Sequence, residues 1–504
     1  MTEEIVSYGV LSLIPAILAV VLAFWTKNVI ISLMASLFVG CLITAGWNPW
    51  NAMQVMFSDH LFVDMTGSSN AQTIIMMSFV GGFVALIEAT GGAKAFAAAN
   101  KVHRRSTAQT TAWLGGLAIF FSDSGNSLIL GPIFRPIFDR LRISRAKLAY
   151  ILDSTSSPVC ILVPITGWGV YIMGIIATEF ENLGIQTSDA SAFVQAIPYQ
   201  FYALLALVLV PLIALSKRDF GPMAKFETYV LENGPTAAEL EADKSIVQSE
   251  NANKATAWEM IIPLLVMFVT IFVMFIGWGF PGQNIPGSKI RIALTSGYML
   301  ATIVLAIMVI VKKIMTFTEV VDTWVSGIKK MAGILAIIIA AWGVGSVCTA
   351  LGTSQFVVDC TIGFLSPALV PALLFIIGAV ISFATGTSWG TMAILLPLGI
   401  NMAYGFGVSE AITIAAVLSG SLFGDHCAPI SDTTVMSSMA GGCNHIDHVR
   451  TQIPYALLAA VASFIAYLIV GVTQMAAGIA LPVALAILVV LFLLATRLFG
   501  KKIA

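Results

Sequence analysis

Phe120-Phe121-Ser122-Asp123-Ser124-Gly125-Asn126-Ser127 and, 265 residues later, Thr385-Gly386-Thr387-Ser388-Trp389-Gly390-Thr391 are two polar breaks set in long apolar sequence. Each break opens a longer copy of one unit, ending at Pro164-Ile165-Thr166 in the first and Pro429-Ile430-Ser431-Asp432 in the second. At a gapless offset of 265, residues 125–165 match 390–430 at ten of 41 positions. The matches include Gly125/Gly390, Pro132/Pro397, Ser144/Ser409, Ser154/Ser419, Ser156/Ser421 and Pro164/Pro429. Apolar segments interrupted by Gly, Pro, Ser and Thr at corresponding places in two halves mark the binding site of a secondary transporter.

Composition supports a membrane setting. The 504 residues are 58% hydrophobic and 10% charged, with mean hydropathy +0.94. Soluble domains carry roughly 25% charged residues, so most of this chain is solvated by lipid. A net charge of −1 gives no basic footprint for nucleic acid. The six cysteines show no CxxC spacing and read as small buried hydrophobes. The acidic start Met1-Thr2-Glu3-Glu4 lacks the basic region of a cleavable signal, so the first apolar run is expected to be a retained span.

A spanning helix takes about 20 apolar residues. Runs that qualify are 5–26, 29–46, 70–92, 148–178, 197–215, 258–279, 290–311, 331–352, 410–440, 453–475 and 477–496. The blocks 108–138 and 366–405 break in the middle, which predicts two re-entrant helical hairpins. Irregular backbone at membrane depth is tolerated where it is buried in protein or lines a cavity. With both blocks as hairpins, 23 of the 25 Lys and Arg residues fall on one side, and Lys289 and Arg291 on the other. The positive-inside rule makes the richer side cytoplasmic, with the N-terminus outside and the C-terminus inside.

The predicted fold class is therefore an all-α polytopic membrane protein of about eleven spans plus two hairpins, in a cytoplasmic membrane. Repeat one covers 5–178, with hairpin 108–138 and broken helix 148–178. A span and cytoplasmic linker cover 179–257. Repeat two, inverted, covers 258–440, with hairpin 366–405 and broken helix 410–440, and spans 441–504 close the chain. Trp50–Met65 and Phe317–Lys330 are semi-polar stretches expected to be interfacial helices in the two repeats.

Ionisable groups within spans are costly, about 2.5–3.5 kcal/mol each on insertion scales, and so are candidates for function. The ion- or substrate-binding candidates are Asp123, Ser124 and Asn126 in the first tip, and Asp153, Ser154, Ser156 and Ser157 in the first broken helix. Thr385, Thr387, Ser388 and Thr391 come from the second tip, and Asp425, Ser431, Asp432 and Thr433 from the second broken helix. Neither tip nor break holds Lys or Arg, which leaves a pocket of carboxylates, hydroxyls and freed carbonyls suited to a hard cation. Na⁺ is expected at Asp123, Asp153 and Asp432. Plainer roles stand beside these: Asp123 and Asp153 as helix caps, the hydroxyls as partners of freed backbone, and Glu88 as a residue facing water at the end of its span. Asp425-His426-Cys427 alone is weak evidence for a transition metal, and Trp168 and Trp389 suit a gate, a solute contact or packing.

Gly386-Thr387-Ser388-Trp389-Gly390-Thr391 and Gly424-Asp425-His426-Cys427-Ala428-Pro429-Ile430-Ser431-Asp432-Thr433-Thr434, with first-half counterparts Ser122–Asn126 and Asp153–Pro158, resemble the NhaC-type Na⁺/H⁺ antiporter family. The resemblance covers most of 5–440 and implies a carrier in the cytoplasmic membrane coupled to Na⁺ or H⁺. In better-known antiporters the Ser-Trp-Gly-Thr and Ser-Asp-Thr-Thr motifs fall in the first half, whereas here both fall in the second, which places the chain on a separate branch.

The expected function is a secondary active transporter coupled to Na⁺ and/or H⁺, with Na⁺/H⁺ antiport leading. The alternative is a Na⁺-coupled carrier of an amino acid or small carboxylate, whose carboxylate would sit at helix N-termini. A passive channel is a third class. No nucleophile–base pair or zinc-type spacing suggests an enzyme. No cofactor is expected beyond the transported ions. The expected partners are membrane lipid and a small ion or solute, with a homodimer as a candidate assembly.

Overall fold

The structure, a computed structural model, describes residues 8–26, 28–92, 95, 104–235, 255–279, 287–353, 356, 366–429 and 431–503. All eleven expected runs hold helix. Among the described residues, seven helices are long and apolar enough to cross a membrane, or up to ten crossings if each of three bent pairs counts as one. The chain is a helical, multi-pass membrane protein. A small sheet pairs Arg218–Phe220 antiparallel with Gly500–Lys502. The expected linker helix around 237–244 lies outside the described residues.

Both hairpins form. The first has arms Arg105–Ala118 and Asp123–Arg140, turning at 119–122. The second has arms Val370–Thr385 and Ser388–Phe406, turning at Gly386, which adopts φ 68°. Only glycine takes that left-handed conformation without steric cost. Both broken helices form as well. Arg145–Thr155 stops at Ser156, whose ψ of −96° leaves the helical region, and the chain resumes as Gly167–Leu183. Glu410–Cys427 gives way to Asp432–Gly441 at a bend of 48°.

The two repeats exchange contacts. The second arm of hairpin one packs on Asp432–Gly441, the distal half of the other repeat's broken helix. The second arm of hairpin two packs on Gly167–Leu183, the distal half of the first broken helix. The first crossing is close: a Cβ on Gly131 would lie 2.2 Å from the Ala440 carbonyl oxygen, so a side chain there is excluded. Polar bonds lock both crossings, with Ser127 Oγ 2.8 Å from Ser437 Oγ and Tyr171 Oη donating to the Trp389 carbonyl at 2.8 Å.

The repeats differ where interfacial helices were expected. Val29–Thr44 and Pro49–Thr66 meet at 113°, so the second segment turns aside with Trp50, Met53, Phe57 and Phe62 exposed. Its counterpart is not separate, because Phe317–Ala350 is one continuous helix of 34 residues. The physical reason is local. Gly67, at ψ 131°, ends the first amphipathic segment before Ser68. In the second repeat a capping box joins Thr316 and Glu319, and no proline or extended glycine interrupts the helix that follows.

Candidate functional site

Four helices start at the four breaks, each with a hydroxyl cap. Ser122 accepts from Gly125 N at 3.0 Å, Thr166 from Gly169 N at 3.3 Å, Thr387 from Gly390 N at 3.5 Å and Ser431 from Thr434 N at 3.4 Å. A helix N-terminus carries about half a positive charge. Carboxylates occupy three of these ends. Asp123 and Asp432 are the first residues of their helices. Asp425 accepts the Ser388 hydroxyl at 2.7 Å and the Ser388 amide at 3.3 Å. The aspartates also lie within one another's fields: Asp432 interacts with Asp123 and Asp153, and Asp425 with Asp432 and Asp153.

The acids have unequal surroundings. Asp153, fully buried on the first broken helix, accepts from Thr434 Oγ1 at 3.1 Å, Ser437 Oγ at 3.2 Å and Gln452 Nε2 at 2.6 Å. His426 Nε2 and His448 Nε2 stand 3.7 and 3.9 Å from Asp153 Oδ2. Donors thus reach both carboxylate oxygens of Asp153. Asp425 is buried but keeps Oδ1 without a hydrogen-bond partner. Asp432 is exposed and accepts from Thr433 N at 2.9 Å. Asn126 Oδ1, Ser154 Oγ and Ser157 Oγ are further buried oxygens without a partner. Such atoms are costly to leave unmatched.

Asp123, Asp153 and Asp432 therefore do not converge as one ligand set, and among the described residues no three His, Cys, Asp or Glu side chains do. Several predicted hydroxyls satisfy local groups instead. Ser156 donates to the Asp153 carbonyl, Thr385 to Ile381 and Thr391 to Thr387. Thr433 Oγ1 meets Ser431 Oγ at 3.0 Å. The Ser124 side chain lies outside those described. Asn126 ties hairpin one to its own repeat's broken helix, its Nδ2 donating to the carbonyls of Gly116 at 2.8 Å and Thr155 at 2.9 Å.

Aromatic rings bridge the two tips. Trp168 Nε1 donates to Asp123 Oδ2 at 3.1 Å, and its ring lies 4.6 Å from that of Trp389, which also packs edge-on against Tyr171. Glu88 does not simply face water: Ser122 Oγ donates to it at 2.5 Å, and a Cβ on Gly125 would strike it. Sequence reasoning missed Thr434, Ser437, His448 and Gln452 around Asp153. The signal was a polar stripe, since His445, His448 and Gln452 follow i, i+3, i+7 spacing on one helix face. It also missed Glu179, buried and bonded by Asn401 Nδ2 at 2.8 Å across the second crossing.

Residues 159–472 match the Na⁺/H⁺ antiporter family. Across 97% of this chain and 96% of the relative, the sequence is 32% identical to an uncharacterised protein of Haemophilus influenzae. It is 30% identical to the arginine/ornithine antiporter ArcD of Halobacterium salinarum over 34% of this chain and 36% of that one. The fold is similar to MtrF of Neisseria gonorrhoeae, solved as one of a class of antimetabolite efflux pumps, with TM-score 0.61, 14% identity and 85% of each chain covered.

Proposed function

The chain belongs to the Na⁺/H⁺ antiporter family, and from that premise we propose that this secondary transporter exchanges Na⁺ for H⁺ across the cell membrane. The observation that carries the reading is the set of aspartates at the crossing, partnered by hydroxyls, amides and helix N-termini. A carboxylate out of water needs a compensating cation. Where the acids sit close together, a bound Na⁺ and a bound proton each lower the affinity for the other. That antagonism, with access alternating between two sides, yields exchange. We assign Na⁺ to Asp425, through its unpartnered oxygen, together with the water-facing Asp432, and the proton to Asp153, the acid beside His426 and His448.

Alternating access follows from the reciprocal crossings, each hairpin riding on the other repeat's broken helix. The basic-residue count supports hairpin one open to the cytoplasm, hairpin two open to the outside, the N-terminus outside and the C-terminus inside. Proteoliposomes holding a pH dye test the function: an inward Na⁺ gradient alkalinises the lumen with no organic solute present. A silent dye across pH 6 to 9 in active, oriented vesicles overturns it.

A second reading has its own observation. Trp168, Trp389 and Tyr171 form an aromatic wall between the tips, a surface that suits an organic solute better than a bare ion. Exchange of amino acids or small carboxylates coupled to Na⁺ accords with the partial match to an arginine/ornithine antiporter. Thermal stabilisation by such a solute only when Na⁺ is present distinguishes this reading from simple exchange.

A further inference from the structure

Beside Asp153 lies a chain of side chains that ion binding does not use. His445 is half-buried at the start of helix His445–Thr473, and His448, Gln452 and Ser438 behind it are fully buried. Ser438 Oγ lies 3.0 Å from His445 Nδ1 and 2.8 Å from His448 Nδ1. On their far edges, His445 Nε2 is 2.6 Å from the Pro429 carbonyl oxygen and His448 Nε2 is 2.8 Å from Gln452 Oε1.

Hydrogen-bond counting constrains the protons. A carbonyl oxygen only accepts, so His445 Nε2 carries hydrogen. The Gln452 amide nitrogen donates to Asp153 Oδ2 and to the His426 carbonyl, which fixes Oε1 toward His448, so His448 Nε2 carries hydrogen too. If both rings are neutral, both Nδ1 atoms are lone pairs turned on one hydroxyl that has a single hydrogen. The Thr434 carbonyl, 2.7 Å from Ser438 Oγ, competes for the same hydrogen. One added proton removes the conflict. One ring then donates from Nδ1 to Ser438 Oγ, and the hydroxyl donates to the other ring.

We propose that His445, Ser438 and His448 form a proton relay feeding Asp153, with one extra proton shared between the two imidazoles. This rests on the exchange reading for its purpose, though not for its proton count. A proton entering at His445 Nδ1 passes to Ser438 Oγ as the hydroxyl hydrogen passes to His448 Nδ1. His448, now an imidazolium, releases its Nε2 proton across 3.9 Å to the Asp153 carboxylate when the ring tilts toward it. One proton has entered and one has reached Asp153. Both rings are neutral, with the His448 hydrogen now on Nδ1 and its Nε2 lone pair toward Gln452 Oε1. The ring must turn over and regain its first tautomer before the next proton passes.

The surrounding charges come from several elements. Asp153 on the first broken helix favours the added proton, and His426 on the second broken helix, bonded to Tyr202 at 2.7 Å, adds no charge while neutral. Arg135 from hairpin one, bonded to the Ala440 carbonyl, and Arg145, bonded to Gly442 and paired with Asp139, oppose it. Asp447 and Arg450 lie on the same helix as the pair.

The test is nitrogen-15 NMR of histidine-labelled protein in nanodiscs, with His445→Gln and His448→Gln assigning the signals. At about pH 7.5, where an ordinary histidine with pKa near 6.5 is about nine-tenths neutral, the relay predicts imidazolium character shared by these two rings. Ser438→Ala should abolish that shared character and Ser438→Thr restore it. Two neutral rings in the wild type, titrating independently, overturn the proposal whatever the variants do. In proteoliposomes, His448→Gln should slow Na⁺-driven proton flux about tenfold and leave thermal stabilisation by Na⁺ intact; unchanged flux also overturns it. If wild-type protein moves no protons with Na⁺, the exchange reading fails, while the spectra still decide whether the extra proton exists.

Discussion

Asp425 differs from its neighbours by one oxygen. Its Oδ2 is held by Ser388, while Oδ1 is buried without such a partner, and a buried oxygen left unmatched is costly. Asp425→Asn is therefore expected to cut Na⁺-driven proton flux at least tenfold without loss of folded protein, as read by dye quenching and by size-exclusion profile. Ser388→Ala removes a hydrogen bond to a charged acceptor, worth about 1.5–3 kcal/mol. It should raise the Na⁺ concentration for half-maximal exchange about tenfold or more with little change in maximal rate. An unchanged half-maximal concentration would show that Ser388 only packs. Asp425, Asp432 and Asp153 were legible as candidates because acids in apolar breaks are rare. The partners of Asp153 were not, since Gln452 and Ser437 reach it from elements about 300 residues away.

At the scale of elements, the hydroxyl caps show why the broken segments could be read. Ser144 caps Arg145–Thr155 and Ser409 caps Glu410–Cys427, and these two serines are one of the matched pairs at offset 265. Ser122 with Thr387 and Thr166 with Ser431 keep the same offset and the same capping role. A cap is a local interaction within one turn, so it leaves a local trace. Contacts between helices leave less. The second broken helix approaches hairpin two so closely that a Cβ on Gly424 would lie 2.2 Å from the Ala379 carbonyl oxygen. Gly424→Ala should destabilise the protein by about 1–3 kcal/mol through overpacking, seen as a lower thermal midpoint in detergent. An unchanged midpoint would mean that the helices separate freely. The continuous helix Phe317–Ala350 shows the reverse limit: semi-polar composition suggested a separate segment, but composition alone does not end a helix.

For the whole molecule, reciprocal crossings join the two repeats, and the proposed orientation rests on the distribution of basic residues. Arg142 follows hairpin one and Ser366 precedes hairpin two, and both are exposed. In a cysteine-free background, Arg142→Cys should react with an impermeant maleimide only from the cytoplasmic side and Ser366→Cys only from outside. Labelling of both from the same side would refute the inversion. The segment pattern and charge count were visible in the chain before any coordinates, because lipid forces long apolar runs and few charges. Which hairpin meets which broken helix was not visible, since that follows from the packing of glycines such as Gly131 on distant backbone. The central claim is that Na⁺ and H⁺ compete for one acidic crossing, and the direct measurement is Na⁺ affinity of the purified protein by calorimetry between about pH 6 and 9. The account predicts that Na⁺ binding weakens as pH falls, approaching tenfold per unit at the acidic end, with protons released into buffer on binding. Affinity that stays constant with pH, and no proton release, would contradict it.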